Sequence, residues 1–189
     1  MRFKYDKQAA LGAAALVAVV LVVLLSPQGE RLEALLIPRT PAVDSVERLK
    51  IPSLGVDAAI ERVALTPAGA MDTPDGPQNV GWYSPGPYPG QEGSAVIAGH
   101  RGWKNGEPAV FDDLDRLRKG DVILVVDPQG NELPFVVHET RVYEKGSIAP
   151  EVFTSASGTH LNLITCVGTW DSVLRSTEER LVVFADLAS

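Results

Sequence analysis

Hydrophobic and polar positions are distributed along this chain in two different ways. From Ala9 to Leu25 the residues are uninterruptedly apolar. Beyond about Val46, short apolar runs alternate with polar positions and are separated by Gly and Pro clusters, a pattern that predicts short strands of a β-sandwich or barrel. The expected strands are Glu47–Ile51, Ala58–Ala64, Ala95–Gly99, Val122–Asp127, Phe135–Tyr143, Leu161–Cys166 and Leu181–Leu187, with turns at Pro85-Gly-Pro87 and Pro128-Gln-Gly-Asn131. One helix is expected in this part, over Phe111–Lys119, because Phe111, Leu114 and Leu117 recur at three-residue spacing. No internal repeat, low-complexity tract or heptad pattern is present, which argues against solenoids and filaments.

The first apolar run has seventeen residues, a helix of roughly 25 Å, near the short limit for crossing a hydrocarbon core. It is longer than the apolar region of a cleaved signal peptide and ends in Leu24-Leu-Ser-Pro27 rather than a small-residue cleavage site, so an uncleaved anchor is expected. Arg2, Lys4 and Lys7 precede it against Asp6 alone, which keeps the N-terminus cytoplasmic and places everything after Ser26 outside the membrane. The expected organisation is a cytoplasmic N-terminus (1–8), a transmembrane helix (9–25), a stalk containing Pro27, Pro38 and Pro41 (26–44), and one extracellular all-β domain (45–189). The chain has 189 residues, which suits one domain with an appendage better than two domains.

Charge narrows the function. The formal net charge is −7, and the cytoplasmic end is basic, so the exported part is acidic. With no basic stripe carrying interleaved aromatics, nucleic acid is not an expected partner. A single cysteine, Cys166, cannot form an internal disulfide. It is either a small buried hydrophobe or a thiol kept for chemistry.

The surroundings of that thiol make chemistry the sharper reading. Leu161-Asn-Leu-Ile-Thr-Cys166 reads as a strand ending in the thiol, before a loop at Val167-Gly-Thr-Trp170, and alternation puts Asn162, Ile164 and Cys166 on one face with Leu161, Leu163 and Thr165 on the other. Ala95-Val-Ile-Ala-Gly-His100 repeats the arrangement, with an imidazole where the strand gives way and a glycine permitting close backbone approach. Glu179-Arg180 opens the last apolar run. His138 and His160, inside strand patterns, read as structural.

The ordered set Ile97-Ala-Gly-His100, Leu163-Ile-Thr-Cys166 and Arg180 before a closing apolar strand strongly resembles the sortases. The resemblance extends over nearly all of the chain after the stalk, through Leu49-Lys-Ile-Pro-Ser-Leu-Gly-Val56, Gly69-Ala-Met-Asp-Thr-Pro74, Val80-Gly-Trp-Tyr83 and Phe111 to Asp121. The Gly-Trp-Tyr and Ala-Gly-His-Arg-Gly neighbourhoods are most like actinobacterial class F enzymes. The resemblance implies an eight-stranded β-barrel with one or two short helices, and a cysteine transpeptidase that cuts an LPxTG-type sorting signal between Thr and Gly. The acyl group would pass through a Cys thioester to an amine, such as a peptidoglycan precursor or a pilin Lys, and the substrates would be sorting-signal-bearing surface proteins.

Carried over residue by residue, the resemblance makes Cys166 the nucleophile, His100 the acid and base, and Arg180 the oxyanion donor, with Thr165 beside them. Arg175 is the rival arginine, but it falls in a polar loop. The segment from Tyr143 to Gly158 would receive the substrate's Leu and Pro, through apolar Ile148, Pro150, Val152 and Phe153. No cofactor or metal is implied, and no dense carboxylate cluster suggests the calcium that some sortases bind. L,D-transpeptidases also carry an exported catalytic Cys, but in a His/Ser-Gly-Cys-Arg type motif unlike Ile-Thr-Cys-Val here. Papain-like enzymes usually place Cys before His, whereas His100 precedes Cys166. The non-enzymatic alternative is a membrane-tethered β-barrel binding module with an inert Cys166.

Overall fold

The computed structural model describes residues 48–147, 149–155, 157–171 and 176–188. The expected cytoplasmic end, transmembrane helix and stalk lie outside the described residues, among which no helix is long and apolar enough to cross a membrane. The described residues form eight strands: β1 (Arg48–Ile51), β2 (Val56–Val63), β3 (Val80–Tyr83), β4 (Gly93–Gly99), β5 (Val122–Val126), β6 (Glu132–Glu144), β7 (Thr159–Asp171) and β8 (Ser176–Leu187). They close into a barrel in the order β1-β2-β3-β4-β7-β8-β6-β5, with β1 pairing β5 to complete the ring. The β2/β3 and β4/β7 contacts are parallel and the others antiparallel.

Seven of these strands coincide with expected ones, and β3 is the addition. It has four residues, of which Val80, Gly81 and Trp82 are all buried, so it shows no alternation to read. The helix expected over Phe111–Lys119 is corrected to a single 3₁₀ turn, Leu114–Arg116. The spacing was real but belongs to the tighter period: Leu114 N–H donates to Phe111 O and Leu117 N–H to Leu114 O, and in 3₁₀ geometry residues three apart eclipse. Phe111, Leu114 and Leu117 are accordingly buried in the barrel core. Among the described residues the other helical pieces are 3₁₀ turns at Pro52–Leu54 and Lys104–Gly106 and one α-helical turn, α1 (Pro150–Phe153).

The barrel is filled from alternate positions, as period-two strands require. Ile97 of β4, Leu161 and Leu163 of β7 and Val183 of β8 point inward with Phe111 and Phe135, all at 0% exposure. Truncating either phenylalanine to Ala would cost about 3–5 kcal/mol. Gly99 is required by this packing, because a Cβ there would stand 2.4 Å from the Phe111 ring. On the outer side of β4, β7 and β8 a second cluster forms from Val96, Val152, Val182 and Phe184, with Ile164, Ala149, Tyr143 and Met71 packed against it. This outer face carries the site.

Candidate active site

Strand register places the three expected residues in one row. In the antiparallel β7/β8 pair Cys166 lies directly opposite Arg180, which brings both side chains to the same face with Cβ atoms about 5 Å apart. In the parallel β4/β7 pair the ladder runs from Gly93↔Thr159 to Ala98↔Ile164. Continued two residues past its last pair, that offset would bring His100 level with Cys166, and both line one cleft. The Thr165 hydroxyl extends the ladder by donating to Gly99 O at 2.9 Å. Thr165 is buried, so its hydroxyl holds the β4 end against β7.

Two boundaries differ from expectation. Cys166 is not the last residue of its strand: β7 continues to Asp171 through a register shift between Val167 and Trp170. Arg180 lies inside β8, which begins at Ser176. The irregularity just beyond Cys166 interrupts the ladder there, and bulges of this kind often re-aim side chains beside reactive centres. His100 does stand where β4 ends, one residue past Gly99.

All three side chains line a cleft of about 430 Å³. Its floor is the outer face of the three strands, with Ala98, Ile164 and Val182. One wall is Tyr143 near the end of β6 with Ala149, Val152 and Phe153 of the segment that follows, and the other is the β2–β3 crossover, Ala70 to Thr73. Mostly apolar walls around a few polar groups are the usual composition of a pocket for small molecules or peptide side chains.

Hydrogen bonds orient two of the three candidate side chains. His100 Nε2 lies 3.0 Å from Pro74 O, and the Trp103 ring packs on the imidazole with centroids 4.6 Å apart and planes inclined at 58°. Arg180 Nη1 donates to Glu179 O at 2.8 Å and to both Thr177 O and Thr177 Oγ1 at 3.1 Å, which turns that nitrogen back along β8. Cys166 is half-buried, and no hydrogen bond of its thiol is found among the described residues. Such links are often loose before substrate is bound.

The expected recognition residues divide. Val152 is the buried residue of α1 and lines the cleft, and Phe153 lines it while packing edge-on against Tyr83 with centroids 5.6 Å apart. Pro150 is exposed, starts α1, and is not among the cleft residues. Ile148 lies outside the described residues. α1 is held from the floor by buried Asn162, whose side-chain amide donates to Val152 O at 2.6 Å, and from the rim by Tyr143, whose hydroxyl donates to Glu151 at 2.8 Å. Burial first, then the bond to Glu151, pushes the Tyr143 phenol up, while Glu151 is held below the usual carboxylate range by its own backbone N–H and by Tyr143.

Sequence reasoning did not assign the crossover wall. Its motif Gly69-Ala-Met-Asp-Thr-Pro74 was visible as part of the resemblance, but its place beside His100 depends on β2 and β3 being parallel, which no local pattern announces.

A family model for the sortase domain matches residues 49–188. The chain belongs to the sortase family, whose members are cysteine transpeptidases. Among solved structures it is similar to sortase C-1 from Actinomyces oris, with 24% identity, TM-score 0.59, and coverage of 75% of this chain and 73% of that one. Sortase A from Corynebacterium diphtheriae gives 22% identity and TM-score 0.58 over 76% of this chain and 60% of that one. A Clostridium perfringens sortase D5 transpeptidase gives 24% and 0.57 over 77% and 80%. At these identities the likeness establishes the fold. No curated protein matches the chain.

Proposed function

We propose that this protein is a membrane-anchored sortase that cleaves an LPxTG-type sorting signal between Thr and Gly and transfers the new acyl group to an amine, with Cys166, His100 and Arg180 as its reacting residues. The observation that carries this reading is their convergence as one row across β4, β7 and β8 on the floor of a single cleft. Within the family, the class F enzymes are the proposed subclass, on the Gly81-Trp82-Tyr83 and Ala98-Gly-His-Arg-Gly102 neighbourhoods.

Cys166 loses its proton to His100 and its sulfur attacks the Thr carbonyl carbon, forming the C–S bond. The carbonyl oxygen becomes an oxyanion beside Arg180, whose guanidinium is charged at any working pH. Collapse breaks the C–N bond, and His100 returns the proton to the departing Gly amine. An incoming amine then attacks the thioester, gives its proton to His100, and the C–S bond breaks to regenerate the thiol. The apolar wall from Ala149 to Phe153 would take the Leu and Pro of the signal.

The test is turnover of a sorting-signal peptide, with and without an amine acceptor, by the full chain in mild detergent. Cys166→Ala is expected to abolish both cleavage and transfer while circular dichroism is unchanged, and His100→Ala to be nearly inactive. Near-normal turnover by folded Cys166→Ala overturns the reading, and failure of the wild type to react leaves the inert binding module in its place. The proposed topology predicts that protease added to intact protoplasts digests the domain. Survival until lysis would reverse the orientation.

A further inference from the structure

His100 has a partner that belongs to no side chain, and the way that partner is held points to one more residue. The crossover between the parallel strands β2 and β3 folds back on itself, with Thr66 N–H donating to Ala70 O and Asp72 N–H to Ala64 O. Beyond it, Glu61 of β2 grips the chain at two points. One carboxylate oxygen accepts from Asp75 N–H at 3.0 Å and the other accepts from the Asn79 side-chain amide. Both points follow Pro74, and the first is the N–H of the same planar peptide unit as the Pro74 carbonyl, while the Pro74 ring sits against Gly81 of β3, 3.3 Å from where a Cβ would project. The Pro74 carbonyl is thereby presented to His100 Nε2 at 3.0 Å.

A carbonyl oxygen can only accept, so a neutral imidazole in this position must carry its proton on Nε2 and leave Nδ1 bare. We infer that the Pro74 carbonyl, held by Glu61, fixes His100 in the Nε2–H tautomer, which makes Nδ1 the nitrogen that exchanges protons during turnover and Glu61 a positioning residue for the reaction. The inference rests on His100 being the acid and base. Nδ1 then takes the thiol proton, giving an imidazolium whose Nε2–H still donates to Pro74 O. It surrenders that same proton to the leaving amine as the C–N bond breaks, and the reverse sequence serves the incoming amine. The Nε2 proton stays in place throughout, and the carbonyl stabilises the imidazolium whenever it forms.

Histidine tautomers are read directly by two-bond nitrogen–proton correlation on ¹⁵N-labelled full chain in detergent. The measurement is made in a Cys166→Ala background at about pH 8, where an ordinary imidazole is neutral. His100→Gln identifies the resonances among the three histidines. His100 is expected as Nε2–H alone, and a predominant Nδ1–H form or an even mixture overturns the proposal. Glu61→Gln keeps the shape but can accept at only one of the two points, so it is expected to give a mixed tautomer. In the active protein it should lower kcat about tenfold with KM within about twofold, the lower end of what hydrogen-bonded partners contribute behind metal-ligating imidazoles. An unchanged tautomer and kcat would remove Glu61 from this role. Should Glu61→Gln fail to fold, Asn79→Ala releases one hold only and is read in the same way. Absence of peptide turnover by the wild type, with the Nε2–H form intact, would refute the proposed function and leave the tautomer assignment standing.

Discussion

At the residue scale, the proposed role of Arg180 asks for more than its charge. Arg180 Nη1 is tied to Glu179 O and to both oxygens of Thr177, so one corner of the planar fork fixes the side chain along β8. A lysine has a single nitrogen and cannot be anchored there and also serve an oxyanion. Arg180→Lys is therefore expected to lose about 10²–10³ in kcat, roughly 3–4 kcal/mol, with the fold retained. Arg175→Lys, outside the described residues and in a polar segment of the sequence, is expected to change the rate only modestly. Steady-state kinetics of both on one sorting-signal peptide check this, and the opposite pattern would reassign the oxyanion donor. Cys166, His100 and Arg180 were legible because each is a polar residue beside an apolar run in a specific chain order. The Pro74 carbonyl was not, since a backbone acceptor has no signature in the sequence, and Glu61 acts only through contacts that the crossover creates.

At the element scale, the segment between β6 and β7 is a wall whose position depends on the floor beneath it. Asn162 is 2% exposed within an otherwise apolar cluster, and its amide is the donor to Val152 O. Asn162→Ala leaves that carbonyl without its donor, a cost of about 1–3 kcal/mol. If α1 serves recognition as proposed, rather than bond making, the variant should raise KM by up to about tenfold, the equivalent of 1.4 kcal/mol, with kcat little altered. A collapse of kcat at unchanged KM would place Asn162 in the chemistry instead. The face that Asn162 shares with Ile164 and Cys166 was readable from period-two alternation. The end of β7 was not: glycine and threonine after Cys166 look like a loop, yet the strand resumes past the irregularity because β8 supplies a partner for Trp170 and Asp171.

At the scale of the whole molecule, the end of β7 remote from the thiol carries its own polar cluster. His160 and Cys166 are six positions apart, about 20 Å along a strand. His160 Nδ1 lies 2.6 Å from Asp186 and Nε2 lies 2.7 Å from Ser157 O, while His138 stands 3.6 Å from the same carboxylate. Burial opposes the charged ring, but the Ser157 carbonyl and Asp186 together outweigh it and hold the His160 pKa above the ordinary 6.5. Its stabilisation is therefore complete below 6.5 and is lost as pH rises through the elevated folded value. The urea midpoint difference between wild type and His160→Gln should be largest near pH 6 and shrink toward about pH 9. A gap that stayed constant or widened would refute that linkage. The β class and most strands were legible from local pattern, whereas the ring order was not, because β4 and β7 meet across 66 residues of sequence. That separation also sets the timing of biogenesis. Domains are synthesised from the N-terminus onward, so β1 to β4 emerge while the strands bearing Cys166 and Arg180 have yet to be made. An imidazole without its thiol can do no acyl transfer, and a chain arrested before β8 has no ladder to set the arginine opposite the sulfur. On the proposed assignment the nascent polypeptide thus has no transfer chemistry until β8 has been made and paired with β7.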